Sequence, residues 1–133
     1  MLYSSCRKFK IWSYTVSHSS LLLRSIMKFP DEDGFSEDTA YNIDIEFWAV
    51  TFISIPTFFA NLKIAEITES CVPDNINKEL YEYNQKVFEL QVADCKYYVI
   101  AGGLLIGVNR WENEDRISNY DLNLEYDDVL VKT

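Results

Sequence analysis

The chain has 133 residues, of which 48% are hydrophobic and 15% aromatic, and a formal charge of −9. That length predicts one domain with one modest core, and the composition is too apolar and aromatic for a disordered chain. Four glycines and three prolines exclude collagen-like and linker-like sequence, and no run reaches the roughly 18 uninterrupted apolar residues of a membrane-spanning helix.

Residues 1–28 hold five of the twelve basic residues (Arg7, Lys8, Lys10, Arg24, Lys28) and no acid. Residues 29–133 hold the other seven and all 21 acids, a formal −14. The basic, serine-rich leader has three readings: a targeting segment, a stretch preceding a true start at Met27, or an arm of the fold. Little amphipathic pattern is available to bury it, so weak order is expected there. The domain proper is then the acidic stretch 29–133. Its field attracts basic surfaces and repels phosphate and anionic membrane, so neither direct nucleic-acid binding nor membrane association is expected.

Residues 30–40 are polar and acidic and read as a loop. From Tyr41 to Ile55, apolar side chains occupy alternate positions with Asp44 and Glu46 between them. This is a strand with one buried face, and Pro56 ends it. Trp48, Val50 and Phe52 make its second face apolar as well. Residues 58–69 read as a second strand, tipped that way by Ile64, Ile67 and Thr68.

Asp74 is a good N-cap. Ile76, Leu80, Tyr83, Val87 and Leu90 then recur at helical spacing, which predicts an amphipathic helix over residues 75–92. Residues 96–108 form an almost unbroken apolar run, read as a central strand bent at Gly102 and Gly103. Residues 109–116 read as a polar turn. Tyr120, Leu122, Leu124 and Tyr126 alternate with polar residues and predict a last, half-exposed strand. The expected fold is therefore α+β: an antiparallel sheet of four to five strands with one helix on one face, in the order strand-strand-helix-strand-strand. A strand with two apolar faces also suits a homodimer interface.

No motif carries chemistry. Gly102, Gly103 and Gly107 match neither a dinucleotide fingerprint nor a phosphate loop. Asp31, Asp33 and Asp38 around Gly34 do not have calcium-loop spacing. His18 is the only histidine and lies in the leader, which argues against a Ser-His or Cys-His base and a multi-histidine metal site. No cofactor or metal is expected, and an enzyme is the less favoured class. Cys6, Cys71 and Cys95 lack C-x-x-C spacing. They read as buried or half-buried thiols in a reducing cytoplasm, with a Cys71–Cys95 disulfide reserved for an oxidising compartment.

Two candidate sites remain. The first is the turn holding Arg110, Trp111, Glu112, Glu114 and Asp115, extended by Asp121 and Glu125. It would be an acidic surface with an aromatic anchor. It suits a non-catalytic protein that docks a basic partner, in the manner of nuclease inhibitors, immunity proteins or antitoxins. The second is a small-molecule pocket between sheet and helix, lined by Trp48, Phe52, Tyr97 and Tyr98, in a binding or minor enzymatic domain.

Overall fold

A computed structural model describes residues 1–118 and 121–133. Among the described residues it is nearly all sheet. Nine strands, β1 (Tyr3–Thr15), β2 (Ser20–Ser25), β3 (Asn42–Trp48), β4 (Phe52–Ser54), β5 (Phe58–Ile67), β6 (Lys86–Val92), β7 (Cys95–Ala101), β8 (Gly103–Asn109) and β9 (Asp128–Lys132), are joined by loops with three short 3₁₀ turns. Neighbouring strands pair antiparallel, in the order β4-β7-β6-β5-β1-β2-β3-β8-β9.

This corrects the α+β expectation. Residues 75–92 are not a helix: residues 75–85 are a loop with one 3₁₀ turn, and Lys86–Val92 is β6. Tyr83, placed on the expected apolar face, is 81% exposed. Asn84 takes a left-handed φ of +60°, which stops helix propagation. Phe88, Leu90 and Val92 also alternate, and tertiary pairing with β5 and β7 selects that period. The expected strand through Leu122 and Leu124 is absent as well. Those residues lie in an irregular connection, and the last strand is β9. Tyr120 lies outside the described residues.

Residues 1–28 supply two strands in the middle of the sheet. Phe9, Leu21 and Leu23 are buried in the main core. Along β1, exposed Ser4, Cys6, Lys8 and Lys10 alternate with half-buried or buried Tyr3, Ser5, Arg7 and Phe9, the period of a half-covered strand.

The sheet closes on itself. β3 and β4 follow one chain path, interrupted at Ala49 with φ +52°. β7 and β8 follow another, interrupted only at Gly102. The two paths pair along both halves, Asn42–Trp48 against Gly103–Asn109 and Phe52–Ser54 against Tyr98–Ile100. Between the halves, Gly102 N donates to Trp48 O at 2.8 Å and Thr51 N to Ile100 O at 2.9 Å. Six chain paths thus make a barrel, with β9 added beside β8. Closure removes most of the exposed sheet edge. As in other small barrels, side chains fill the interior: Phe47 of β3 meets Phe88 of β6 edge-on at 5.6 Å, among Ile45, Leu62 and Leu104.

Two connections cover parts of the barrel exterior. Residues 68–85 lay Val72 and Ile76 against Val87 and Ile100 of β6 and β7. Residues 110–118 and 121–127, here called the strap, cross β2, β3 and β8. Among the described residues, the outer faces of β5 and of β1 as far as Lys10 have no comparable cover, and Phe58 there is 77% exposed.

Candidate functional site

The strap sits on a buried polar network, built on what the sequence presents as the solvent face of β3. Asn42, Asp44 and Glu46 alternate along β3, so they share one face, and all three are buried. Strand register brings Arg24 of β2 opposite Asp44. Arg24 Nε donates to Asp44 Oδ1 at 2.6 Å and Nη2 donates to Oδ2 at 2.8 Å, a bidentate pair. The two side chains are 1% and 0% exposed. Asn109 Nδ2 adds a bond to Asp44 Oδ2 at 2.8 Å, and Asn42 Nδ2 donates to Asn109 Oδ1 at 2.8 Å.

The strap is held by this network at several points. Its Trp111 carbonyl accepts from Asn42 Nδ2 at 2.7 Å, and its Glu114 carbonyl accepts from Arg24 Nη2 at 2.9 Å. Arg116 Nη1 donates to Glu46 Oε2 at 3.2 Å, and the Tyr126 hydroxyl donates to the same oxygen. Gly107 makes room for this arrangement, because a Cβ there would overlap the Tyr126 ring. From β1, Trp12 Nε1 donates to Asp115 Oδ2 at 3.0 Å, while the Arg24 guanidinium lies 4.7 Å from the Trp12 ring centroid.

Burial sets the electrostatics. Desolvation raises the Asp44 pKa despite the opposing pull of Arg24 and Asn109, and it raises Glu46 against Tyr126 and Arg116. Tyr126 is pushed well above the usual phenol range by burial and by the two carboxylates. Burial alone would raise Asp115. Hydrogen bonds from Ser118 (backbone and side chain), the Ile117 backbone and Trp12 reverse this, and its pKa is lowered. Of the two carboxylates nearest a catalytic pairing, Asp44 has both oxygens and Glu46 its Oε2 taken by internal donors beneath the strap. An adjoining cleft of about 250 Å³, bordered by Glu46, Arg116, His18 and Trp48, is smaller than a typical small-molecule site of about 300–1,000 Å³.

The expected partner-binding residues divide into two groups. Arg110, Glu112, Glu114 and Glu125 are exposed on the strap, and Asp121 is half-buried. Asp115 points inward and caps the turn at Ile117 and Ser118. Trp111 is half-buried, its ring 5.2 Å from that of Tyr126, so much of its surface serves the strap's own packing.

The four aromatics of the expected small-molecule pocket do not converge. Phe52 and Tyr98 border the small cluster under residues 68–85, Tyr97 packs on the main core, and Trp48 lies over Gly102 and Gly103. The helix that was to cover them does not exist. Cys6, Cys71 and Cys95 are free and exposed rather than buried.

Sequence reasoning missed Arg24, Asn42, Asp44, Glu46 and Tyr126 as one unit. The signal was three polar residues at alternate positions in a strand with apolar neighbours. Without the register, this is indistinguishable from a solvated face.

No family model matches the chain, and neither the curated proteins nor the solved structures include a detectable match. Among the described residues no helix is long and apolar enough to cross a membrane, and no group of three or more His, Cys, Asp or Glu is placed to hold a metal ion.

Proposed function

We propose that this is a non-catalytic binding protein whose strap docks a basic protein partner. The observation that carries the reading is how the strap uses its charges. Its Arg116 turns inward to Glu46, whereas the outward carboxylates of Glu112, Glu114, Glu125 and Asp127, with Asp128 at the start of β9, have no ion pair among the described residues. The buried network fixes the strap on the barrel, so these charges are presented on a pre-ordered surface, which reduces the ordering cost of binding. Complementary charge would speed encounter and select against acidic partners.

Five substitutions test this: Glu112→Gln, Glu114→Gln, Glu125→Gln, Asp127→Asn and Asp128→Asn, combined in one chain. Both proteins are immobilised in extract of the source cells at low salt and eluted on a salt gradient. The reading predicts a basic protein that the wild type retains, that leaves as salt rises, and that the variant fails to hold. Equal retention by both chains refutes a docking role for the strap.

A further inference from the structure

The uncovered outer faces of β1 and β5 form, with the end of β2, a groove of about 680 Å³, within the usual size of small-molecule sites. Register explains its lining. Lys10 stands opposite Phe58 on one side and Arg24 on the other, and Lys8 stands opposite Ala60. Below Lys10, β1 and β2 are no longer paired, and Arg7, Ile26 and Lys28 line the opening.

The groove's charge is the reverse of the chain's. Besides Arg24, which pairs with Asp44, four cations line it, Arg7, Lys8, Lys10 and Lys28, and among the described residues no Asp or Glu does, although acids outnumber bases 21 to 12 overall. None of the four is in an ion pair among the described residues. Arg7 is instead fixed by neutral acceptors: Nε donates to Ser25 Oγ at 3.0 Å and Nη2 to the Tyr41 carbonyl at 2.7 Å. Lys28 Nζ donates to the Asp33 carbonyl at 2.8 Å. Such bonds orient the cations without cancelling them. Between the cations the surface is apolar: Ile26 is 46% exposed and Phe58 is 77% exposed. Cation density beside exposed hydrocarbon matches a ligand with an anionic head and an apolar body.

We propose that this groove binds a small amphiphilic anion, a carboxylate or sulfonate on a hydrocarbon or aromatic body, with Lys8, Lys10 and Lys28 facing the head group and Ile26 and Phe58 the body. Cys6, also in the lining and exposed, provides an independent reporter.

The test uses decanoate, decanol and decyltrimethylammonium, each below its micelle concentration, titrated by calorimetry into the full chain. Decanoate should bind saturably, at least tenfold more tightly than decanol, with decyltrimethylammonium weakest. The preference for decanoate over decanol should shrink as salt rises. Lys8→Ser with Lys10→Ser should abolish it, and Phe58→Ser should weaken both ligands. These side chains are exposed, so melting should be little changed. Bound decanoate should also slow alkylation of Cys6 in a Cys71→Ser, Cys95→Ser background.

Equal binding of decanoate and decanol, or no saturable binding, overturns the proposal. So does a rise in mass with protein concentration that Lys8→Ser with Lys10→Ser abolishes, which would seat a second copy's acidic strap in the groove. The strap variant described above leaves these residues untouched, so the groove and the strap stand or fall separately.

Discussion

Arg24 beneath the strap and Arg116 within it have carboxylates in hydrogen-bonding range, whereas Arg7, Lys8, Lys10 and Lys28 at the β1–β5 groove have no ion pair among the described residues. On the strap side Arg24 and Arg116 are paired inside, and the face left to solvent carries the carboxylates of Glu112, Glu114, Glu125 and Asp127 with Arg110 as its exposed cation among the described residues. On the groove side the cations remain uncompensated beside exposed phenylalanine. One chain thereby carries two surfaces of opposite sign. Net charge describes neither, because what counts is which charges are paired internally.

The sharpest way to break this contrast is to unpair the strap side. Asp44→Ala leaves Arg24 buried without a counter-charge and should cost about 3–5 kcal/mol in urea denaturation. Replacing both partners with apolar residues, Arg24→Met with Asp44→Leu, should recover most of that loss. A single variant that unfolds like wild type would mean the pair does not hold the strap. Next in size is Gly107→Ala, whose methyl group overlaps the Tyr126 ring. We expect a loss of about 1–3 kcal/mol, with faster hydrogen exchange in residues 121–126 and unchanged exchange at Phe58. Trp111→Ala removes the ring pair with Tyr126, worth roughly 0.5–1.5 kcal/mol beyond the buried area. It should lower the melting temperature modestly and weaken partner binding by more than about 1 kcal/mol.

The smallest effect is on pH dependence. Glu46 faces Tyr126, Arg116, Asp44 and Asp115, and burial raises its pKa above the ordinary 4.5. The folded state therefore holds this proton more tightly than the unfolded chain. Its contribution to stability grows as pH falls from the folded-state pKa toward 4.5, and is lost as pH rises through that window. Asp44 acts in the same direction, and Asp115, with a lowered pKa, in the opposite one below 3.8. Glu46→Gln keeps an acceptor for Tyr126 but has no proton to exchange. Its melting temperature should change less between pH 7 and 4.5 than that of wild type; matching curves would show that Glu46 is not linked to folding.

Sequence alone showed much of the barrel's strand content and little of what covers it. The alternation from Tyr41 and the stop at Pro56 correspond to β3 and β4, and the run through Gly102 corresponds to β7 and β8. β1 carries a readable period of two in Lys8, Phe9, Lys10 and Ile11, but its basic, acid-free composition equally fits a targeting segment or a stretch preceding a start at Met27. For residues 86–92, helical and strand periods fit the same apolar residues, and only the pairing partners decide between them. The strap network was hidden for a different reason. Arg24 and Asp44 are 20 positions apart, and nothing local shows that β2 and β3 align them or that the strap folds back over both.

The division of the surface is tested most directly by mapping two ligands on one ¹⁵N-labelled sample. Decanoate should shift amide signals in residues 6–10, 24–28 and 58–60, and a lysine decamer should act most strongly on residues 112–118 and 121–128, each leaving the other's set in place. Overlapping sets, or a decanoate response spread evenly over the barrel, would contradict the account.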